Sequence, residues 1–467
     1  MVTSGKKLTF GAKCGYGCAA VGDAVAYTFI NTFILFFLTT VAGLQPAVAG
    51  TITALGSIWD ALINPVIGYL SDHSNSSMGR RRVYMLGFCL PLLASMILLY
   101  TTVEFTYSIR ILYYGFMVIA YWTSFTGFFV PFYALGAEYT QDYEERTGLR
   151  SFASFFNTIG TCFSMAMPTI IVEFLESLGM TTSAAWSVTA GILGVITVTS
   201  IILTVVFSAS YDRRGERLSS KTERLSLIGM FREYIQLLKL RPLVWLLLTS
   251  LFFLVAYAMF IADFVYFLTY NLGFDGGKIS AVMLLRCLVC MVSIPLIDVL
   301  CRKTDKRSAM MIIMAATGAC CIGLRFITID SLPALIIYVC VVGVIGSAYW
   351  QVIPAMFYDV CEYDEYETGQ RREGAIVSVQ GLVEAAATGI GAQILGGILQ
   401  FAGFDGSGDV QGELALEWIY NCTTWVPVIF MAASLFALYK FPITKKKFNE
   451  LKRKLEERKN EDKRNEE

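Results

Sequence analysis

Twelve apolar runs occupy most of this sequence, and each is long enough to cross a membrane as a helix. A helix needs roughly 20 residues to span the hydrocarbon core of a bilayer. Only 16% of the residues are charged and the mean hydropathy is +0.58, which is unusual for a soluble chain. The sequence therefore predicts an all-α membrane protein. The predicted spans are 12–40, 46–71, 83–103, 109–138, 152–175, 185–208, 243–270, 279–301, 309–328, 333–358, 375–402 and 418–441.

The longest polar interruption separates the first six spans from the last six. It covers residues 209–241 and is predicted to be a cytoplasmic central loop. On either side of it we predict an N-terminal six-helix bundle at 1–208 and a C-terminal six-helix bundle at 242–441. A basic cytoplasmic tail is predicted at 442–467.

A charged cluster occurs at matching positions in the two sets of six spans. The first charged cluster is "YEERTGLR" at 143–150, and the second charged cluster is "YETGQRR" at 366–372. Each follows the fourth span of its half. This repetition predicts two pseudo-symmetric bundles, as in transporters built from repeated halves.

The basic residues indicate how the chain is oriented. The N-terminus and the even-numbered connections hold nearly all of the 37 Lys and Arg residues, whereas the odd-numbered connections hold only Arg110 and Lys278. Positively charged connections stay on the cytoplasmic side. We therefore predict a multi-pass protein of the cell membrane with both termini in the cytoplasm.

Residues typical of metal sites or enzymes do not form a pattern in this sequence. The 12 cysteines lie mostly inside apolar spans, including Cys287 and Cys290, and His73 is the only histidine. No zinc pattern, catalytic triad or phosphate-binding loop is present. The sequence thus predicts neither an enzyme nor a cofactor other than a coupling ion, and no interaction with nucleic acid.

Several longer stretches resemble one known family. The sequence is similar to the glycoside–pentoside–hexuronide:cation symporters of the major facilitator superfamily, to which the melibiose permease belongs. The resemblance is carried by "GD" at 22–23, "FFLTTVAGL" at 36–44, "IWDALINPVIGYLSD" at 58–72, "GRRR" at 79–82, "VPFYALGAEYTQDYEERTGL" at 130–149 and "YWQVIPAMFYDVCEYDEYETGQRREG" at 349–374. It implies the twelve-helix major facilitator fold, a sugar or glycoside substrate, and symport with a cation.

The resemblance also implies roles for individual residues. Asp23 falls on, or within one residue of, the first-helix aspartate that binds sugar. Asp60 falls on the first of two second-helix aspartates that help to bind the cation, and Tyr133 keeps the aromatic sugar platform. Trp122, Trp350 and Gln351 are further substrate-binding candidates, because sugars pair an aromatic face with polar groups.

The sequence departs from the family pattern where a sodium site would need oxygen ligands. The second aspartate is replaced by Asn64 beside an apolar Ile63, and Phe129 stands where the family is polar or acidic. Sodium favours several hard oxygen ligands, whereas a proton needs one carboxyl that binds and releases it. We therefore expect Asp60 to couple transport to protons rather than to sodium, with Asn64 beside it. In addition, the family's fifth-helix arginine aligns with Ser154, and Glu384 stands at or beside the place of its eleventh-helix lysine.

For each of the other groups of charged residues, two interpretations fit the sequence. Asp263 and Arg286 lie at comparable depth on adjacent spans, and either a structural ion pair or a substrate contact fits them. The two charged clusters and their neighbours fit either a gate of ion pairs that differ between access states or solvated loops. The gate candidates are Asp72, Arg80, Asp142, Glu145, Arg146, Arg150, Asp359, Asp364, Glu367 and Arg371.

The main functional prediction is a secondary transporter that carries a sugar, glycoside or hexuronide by alternating access, as a monomer. A carrier of lipids or organic anions from the same superfamily is an alternative, because polar residues of the family pattern are lost. A membrane sensor or scaffold that does not transport is the alternative from another class. Residues alone give neither the sugar nor the direction of transport.

Overall fold

The structure is a computed structural model in which every regular element is a helix, among the residues that it describes. The described residues are 8–454 apart from 75, 77, 140–142, 210–234, 328, 330, 370–371, 407, 409 and 452. Twelve helical segments are long and apolar enough to span a membrane. The prediction of an all-α protein with twelve spans is confirmed.

The helices follow the predicted spans closely. They are α1 (Phe10–Phe36), α2 (Pro46–Asp72), α3 (Arg82–Leu99), α4 (Tyr107–Tyr139), α5 (Tyr143–Ser177), α6 (Thr182–Phe207), α7 (Arg241–Tyr266), α8 (Gly276–Lys303), α9 (Lys306–Ile327), α10 (Leu332–Thr368), α11 (Glu373–Phe401), α12 (Glu413–Thr423) and α13 (Val426–Lys440). The last predicted span consists of α12 and α13, with a turn at Thr424 and Trp425.

Two helices extend well beyond their predicted spans. α5 begins at Tyr143 rather than at 152, and α10 continues to Thr368 rather than ending at 358. Both extensions carry charged residues, so an apolar run underestimates the helix length. As a result, the first and second charged clusters belong largely to helices.

The chain divides by its contacts into two compact units. The first unit comprises residues 1–223, 261–284 and 392–420, and the second comprises 224–260, 285–391 and 421–467. These units do not follow the predicted boundaries at 208 and 242, because parts of α7, α8, α11 and the twelfth span belong to the first unit. The predicted domain boundaries stay a prediction.

A short π-helical turn ends both α1 and α7. The turns are Phe37–Val41 and Phe267–Asn271, and each is followed two residues later by a glycine with positive φ. The hydrogen bonds also correspond, because Leu44 N donates to Leu38 O and Phe274 N donates to Leu268 O. The backbone repeat thus supports two related halves at a place where the sequence analysis noted only the first copy.

Candidate functional site

Asp23 is a buried carboxylate near the middle of α1, with only 5% of the residue exposed. Asn157 Nδ2 of α5 donates to Asp23 Oδ2 over 3.2 Å. The two helices can approach here because Gly160 packs on the backbone of Val21, where a Cβ atom would lie 2.6 Å from Val21 O. The sequence analysis missed Asn157, although a polar residue three positions before a glycine on an apolar helix would have indicated a helix contact.

Tyr133 of α4 is 39% exposed and lies within electrostatic range of Asp23. The Arg150 guanidinium from α5 lies over the Tyr133 ring, 4.7 Å from its centroid. Tyr133 and Tyr16 each lie within electrostatic range of Asp23 and Arg150. An open aromatic ring, a carboxylate and a guanidinium therefore come together in the first half of the chain.

This arrangement revises what the sequence analysis expected of α5. Ser154 was expected to leave the family's arginine position without a guanidinium, but Arg150, one helical turn earlier, brings one to Tyr133. Arg150 was assigned to a gate, and that role stays a prediction. The contact with Tyr133 gives it a second candidate role in substrate binding.

Tyr16 is a further candidate that the sequence analysis missed. Its ring stacks on Phe132, with 4.8 Å between centroids, and its hydroxyl is buried without a hydrogen-bond partner among the described residues. A buried hydroxyl without a partner is costly, so such groups are frequently functional. Its proximity to Asp23 places one more polar atom in this region.

Asp60 forms a second carboxylate site, on α2. Thr126 Oγ1 of α4 donates to Asp60 Oδ1 over 2.5 Å, and Asn64 Nδ2 donates to the same oxygen over 3.3 Å. The two helices are close because Gly56, one turn before Asp60, packs directly on Val118 of α4. The structure thus brings Asp60 and Asn64 together as predicted and adds Thr126, a fully buried residue.

Aromatic rings line α4 between the two carboxylates. Phe129 stacks on Phe125 and lies 4.5 Å from the Tyr133 ring between centroids, so the departure from the family pattern extends an aromatic run. Trp122 is 4% exposed and packs edge-on to Tyr27. Trp122 therefore belongs to the interior, and its role in substrate binding stays a prediction.

Arg286 is the principal buried cation of the second unit. It is 3% exposed, and its Nη2 donates to the Tyr257 hydroxyl over 2.8 Å. The guanidinium also lies over the Tyr257 and Phe260 rings, 5.8 Å and 5.6 Å from their centroids. Asp263 is fully buried in the first unit, and its pairing with Arg286 stays a prediction.

The remaining candidates of the second unit differ in how accessible they are. Trp350 is 48% exposed and packs edge-on against Tyr349, and its role in substrate binding stays a prediction. Gln351 keeps a buried Oε1 atom without a hydrogen-bond partner among the described residues. Glu384 Oε1 accepts a hydrogen bond from Gln380 Nε2, one helical turn earlier, over 2.8 Å.

In the first half, two acids form ion pairs with basic residues outside their own helices. Glu145 of α5 lies 2.9 Å from Lys13 Nζ of α1 and also accepts from the backbone N of Leu8. Asp72 at the end of α2 pairs with Arg81, which precedes α3. Asp142 and the side chain of Arg146 lie outside the described residues. Asp72 and Arg80 were both named for the gate, and that role stays a prediction.

In the second half, two acids of α10 form ion pairs. Asp364 is fully buried and accepts hydrogen bonds from both Nε and Nη2 of Arg372, over 2.9 Å and 2.5 Å. Asp359 accepts from Lys306 Nζ at the start of α9 over 2.7 Å. Glu367 is exposed, and Arg371 lies outside the described residues. The sequence analysis named Arg371 for the gate, whereas the described ion pair uses the next residue.

Comparison with known proteins agrees with this architecture. The family model described as "MFS/sugar transport protein" matches residues 15–445. The uncharacterized symporter YnaJ of Bacillus subtilis is 27% identical over 97% of this chain and 96% of its own. The isoprimeverose transporter of Lactiplantibacillus pentosus is 23% identical over 90% of this chain and 86% of its own.

The fold is also that of solved transporters. A crystal structure of a variant of the nucleoside transporter NupG superposes with a TM-score of 0.65 and 12% identity, covering 92% of this chain and 98% of NupG. At this identity the likeness concerns the fold alone. Together with the family match over most of the chain, it confirms the predicted major facilitator fold and excludes the enzyme class. The chain belongs to the MFS/sugar transport protein family.

Proposed function

We propose that this protein carries a sugar or glycoside and that the substrate binds in the first half, beside Tyr133. The observation that carries the proposal is the exposed Tyr133 ring with the Arg150 guanidinium over it and the Asp23 carboxylate nearby. Sugars need an apolar face for their C–H groups, and hydrogen-bond donors and acceptors for their hydroxyls. Arg150 supplies several donors and Asp23 supplies an acceptor.

We infer that Asp60 couples this transport to a cation, and that the cation is a proton. Asp60 is surrounded by a hydroxyl and an amide that both donate to it, and Asn64 replaces the second carboxylate of the family pattern. Dehydrating a sodium ion calls for more negative charge than this arrangement offers. A single carboxyl is sufficient to carry a proton.

The orientation follows from the basic residues. We infer that both termini face the cytoplasm, because nearly all Lys and Arg residues lie in the N-terminus, the even-numbered connections and the tail. The protein is then a multi-pass component of the cell membrane. A monomer is the simplest functional form, since a major facilitator fold contains both of its halves in one chain.

Uptake of labelled glycosides into vesicles tests the substrate. Tyr133→Leu removes the ring and is expected to raise the KM of the transported sugar strongly, whereas Tyr133→Phe keeps the ring and much of the affinity. Phe116→Leu is the matched control, because Phe116 lies on the same helix with 65% of the residue exposed. The proposal fails if no glycoside of the panel is taken up, or if Tyr133→Leu behaves as the control does.

The same vesicles test the coupling ion. A proton gradient imposed without sodium is expected to drive accumulation, and a sodium gradient at constant pH is not. Several-fold stimulation by sodium at constant pH would contradict proton coupling and would leave the sugar assignment intact. Transport of lysolipids or organic anions in place of sugars would contradict the substrate assignment alone.

A further inference from the structure

Two cations flank a single exposed aromatic ring where α13 ends. The Arg307 guanidinium lies 5.7 Å from the centroid of the Tyr439 ring, and Lys440 Nζ lies 5.9 Å from the same centroid. Arg307 Nη2 also donates to the backbone oxygen of Tyr439 over 2.6 Å, which fixes the guanidinium beside the ring. We call Arg307, Tyr439 and Lys440 the Tyr439 site.

The two cations have no carboxylate within salt-bridge distance among the residues that the structure describes. Two basic residues nearby do have such partners, because Arg302 pairs with Asp298 over 2.9 Å and Lys306 pairs with Asp359. In addition, Arg307 Nε is buried without a hydrogen-bond partner in the described part of the chain. Among the described residues, the Tyr439 site therefore holds two cations that no carboxylate neutralises at salt-bridge distance.

Apolar residues on α13 continue from this site along one side of the helix. Ile429, Phe436 and Tyr439 are 56%, 58% and 59% exposed, and their spacing of seven and three residues puts them on one face. The membrane-spanning segment ends at Lys440. Exposed apolar groups that end in a tyrosine and a lysine are typical of a helix that leaves the hydrocarbon region at this point.

The tail adds further positive charge next to the site. Residues 445–451 are helical and belong to the second unit, as the Tyr439 site does. Lys445 Nζ donates to the backbone oxygen of Arg302 over 3.3 Å, and Lys306 Nζ lies 5.7 Å from the centroid of the Phe448 ring. Leu451 is buried. The tail helix thus packs near the start of α9. It also carries the exposed residues Lys446 and Lys447, which add positive charge.

We propose that the Tyr439 site binds the phosphate of an anionic phospholipid, with the acyl chains along the Ile429 and Phe436 face of α13. A phosphate accepts hydrogen bonds from guanidinium and ammonium groups, and basic clusters at the end of a span attract anionic lipids of the cytoplasmic leaflet. The apolar face explains why the occupant is a lipid rather than a soluble anion. This site is separate from the residues to which substrate and proton are assigned.

Native mass spectrometry of the full-length protein tests the proposal. The protein is reconstituted with equal amounts of phosphatidylglycerol and phosphatidylcholine, extracted in mild detergent, and examined for retained phospholipid. Several-fold preferential retention of phosphatidylglycerol is expected for the wild type. The Arg307→Gln, Lys440→Gln double variant is expected to retain the two lipids equally.

Arg302→Gln is the matched control, because it removes one charge from the same end of the second half but leaves the Tyr439 site complete. It is expected to keep the preference. If the double variant does not fold, Lys440→Gln alone serves as the test, since Lys440 is exposed and its substitution leaves the interior unchanged. A halved or smaller preference is then expected.

The results that overturn the proposal are distinct. Equal retention of both lipids by the wild type would exclude a selective site. Loss of the preference in Arg302→Gln would mean that net charge rather than the Tyr439 site selects the lipid. Displacement of phosphatidylglycerol by millimolar inorganic phosphate would show that the site binds free anions.

Discussion

Among the described residues, both halves of the chain have acids within their spans, and the second half adds a buried arginine. In the first half, Asp23 and Asp60 each accept hydrogen bonds from neutral side chains of a neighbouring helix. In the second half, Arg286 donates to Tyr257 and lies over aromatic rings. The π turns after α1 and α7 are nevertheless alike. The duplication is thus retained at helix ends, whereas the second half differs from the first in carrying Arg286 within its spans.

The charged clusters differ as well, although their sequences match. Glu145 in the first half pairs with Lys13, and both side chains are partly exposed, at 16% and 18%. Asp364 in the second half is 1% exposed and holds Arg372 by two hydrogen bonds. The buried carboxylate of Asp364 leads us to expect a larger contribution to stability from the Asp364–Arg372 pair than from the Lys13–Glu145 pair.

The largest effect is expected at Asp60, if the first half alone carries the coupling carboxyl. Asp60→Asn cannot bind and release a proton, so it should abolish accumulation against a gradient while sugar exchange at equal concentrations continues. Glu384→Gln in the second half is the counterpart and should retain accumulation. Accumulation in Asp60→Asn, or its loss only in Glu384→Gln, would reverse the comparison.

A second carboxyl beside Asp60 should make transport respond to sodium. Asn64→Asp places a second carboxyl one helical turn from Asp60, where Asn64 Nδ2 now contacts Asp60 Oδ1, and should make uptake respond to a sodium gradient. Asn31→Asp, at another half-buried asparagine of the first half, is the control and should not. Sodium stimulation of the wild type would refute the prediction.

The next effect concerns stability and the second charged cluster. Removing one partner of a buried ion pair costs about 3–5 kcal/mol. Asp364→Asn should therefore lower the thermal unfolding temperature in detergent clearly, whereas Asp359→Asn, whose partner Lys306 is 39% exposed, should lower it less. Equal temperatures for Asp364→Asn and the wild type would mean that the pair contributes no stability.

Asp23 should affect substrate affinity rather than coupling. An unmade buried hydrogen bond costs about 1–3 kcal/mol, so Asp23→Asn should weaken binding by about 5–150-fold. Ligand binding to purified protein measures this directly, and thermal unfolding without ligand checks the fold. Unchanged affinity in Asp23→Asn would remove Asp23 from the proposed sugar site.

The smallest effect is expected at Glu145. Partly exposed ion pairs contribute about 0–1 kcal/mol, so Glu145→Gln should hardly change the unfolding temperature. If the first charged cluster distinguishes access states, however, the variant should change the rate of transport. Accessibility of cysteines introduced on each membrane side would follow that shift, and a wild-type rate with wild-type accessibility would leave the cluster without a gating role.

Much of the fold was predictable because helix length and hydropathy are local properties. The twelve spans, Asp23 and Asp60 follow from apolar runs and from a few acids within them. The contacts of Asn157 and Thr126 could not be predicted in this way. Neutral polar residues are common in spans, and their partners depend on which helix faces meet. Gly160 and Gly56, which let those helices approach, could have indicated the contacts.

Arg150 shows a different limit of sequence reasoning. The first charged cluster was expected to precede its span, but α5 begins at Tyr143, so Arg150 lies two turns inside a helix. Its guanidinium consequently reaches Tyr133 on α4. Likewise, α10 ends at Thr368, Gly369 caps it with a left-handed φ of +68°, and Arg372 just before α11 pairs with Asp364 of α10. Neither arrangement is encoded in charge spacing alone.

The paired π turns also bear on how the chain tolerates changes in its length. A π turn holds one more residue per turn than an α-helix, and each copy is closed by the same hydrogen bonds before its glycine. Each turn is the last of its helix, so deleting one of its residues would remove the wider turn and displace the glycine and the hydrogen bond that follow it. After an ancestral duplication, many side chains along α1 and α7 could therefore diverge while both turns kept their number of residues. Insertions and deletions should accordingly accumulate elsewhere, in connections such as 209–240.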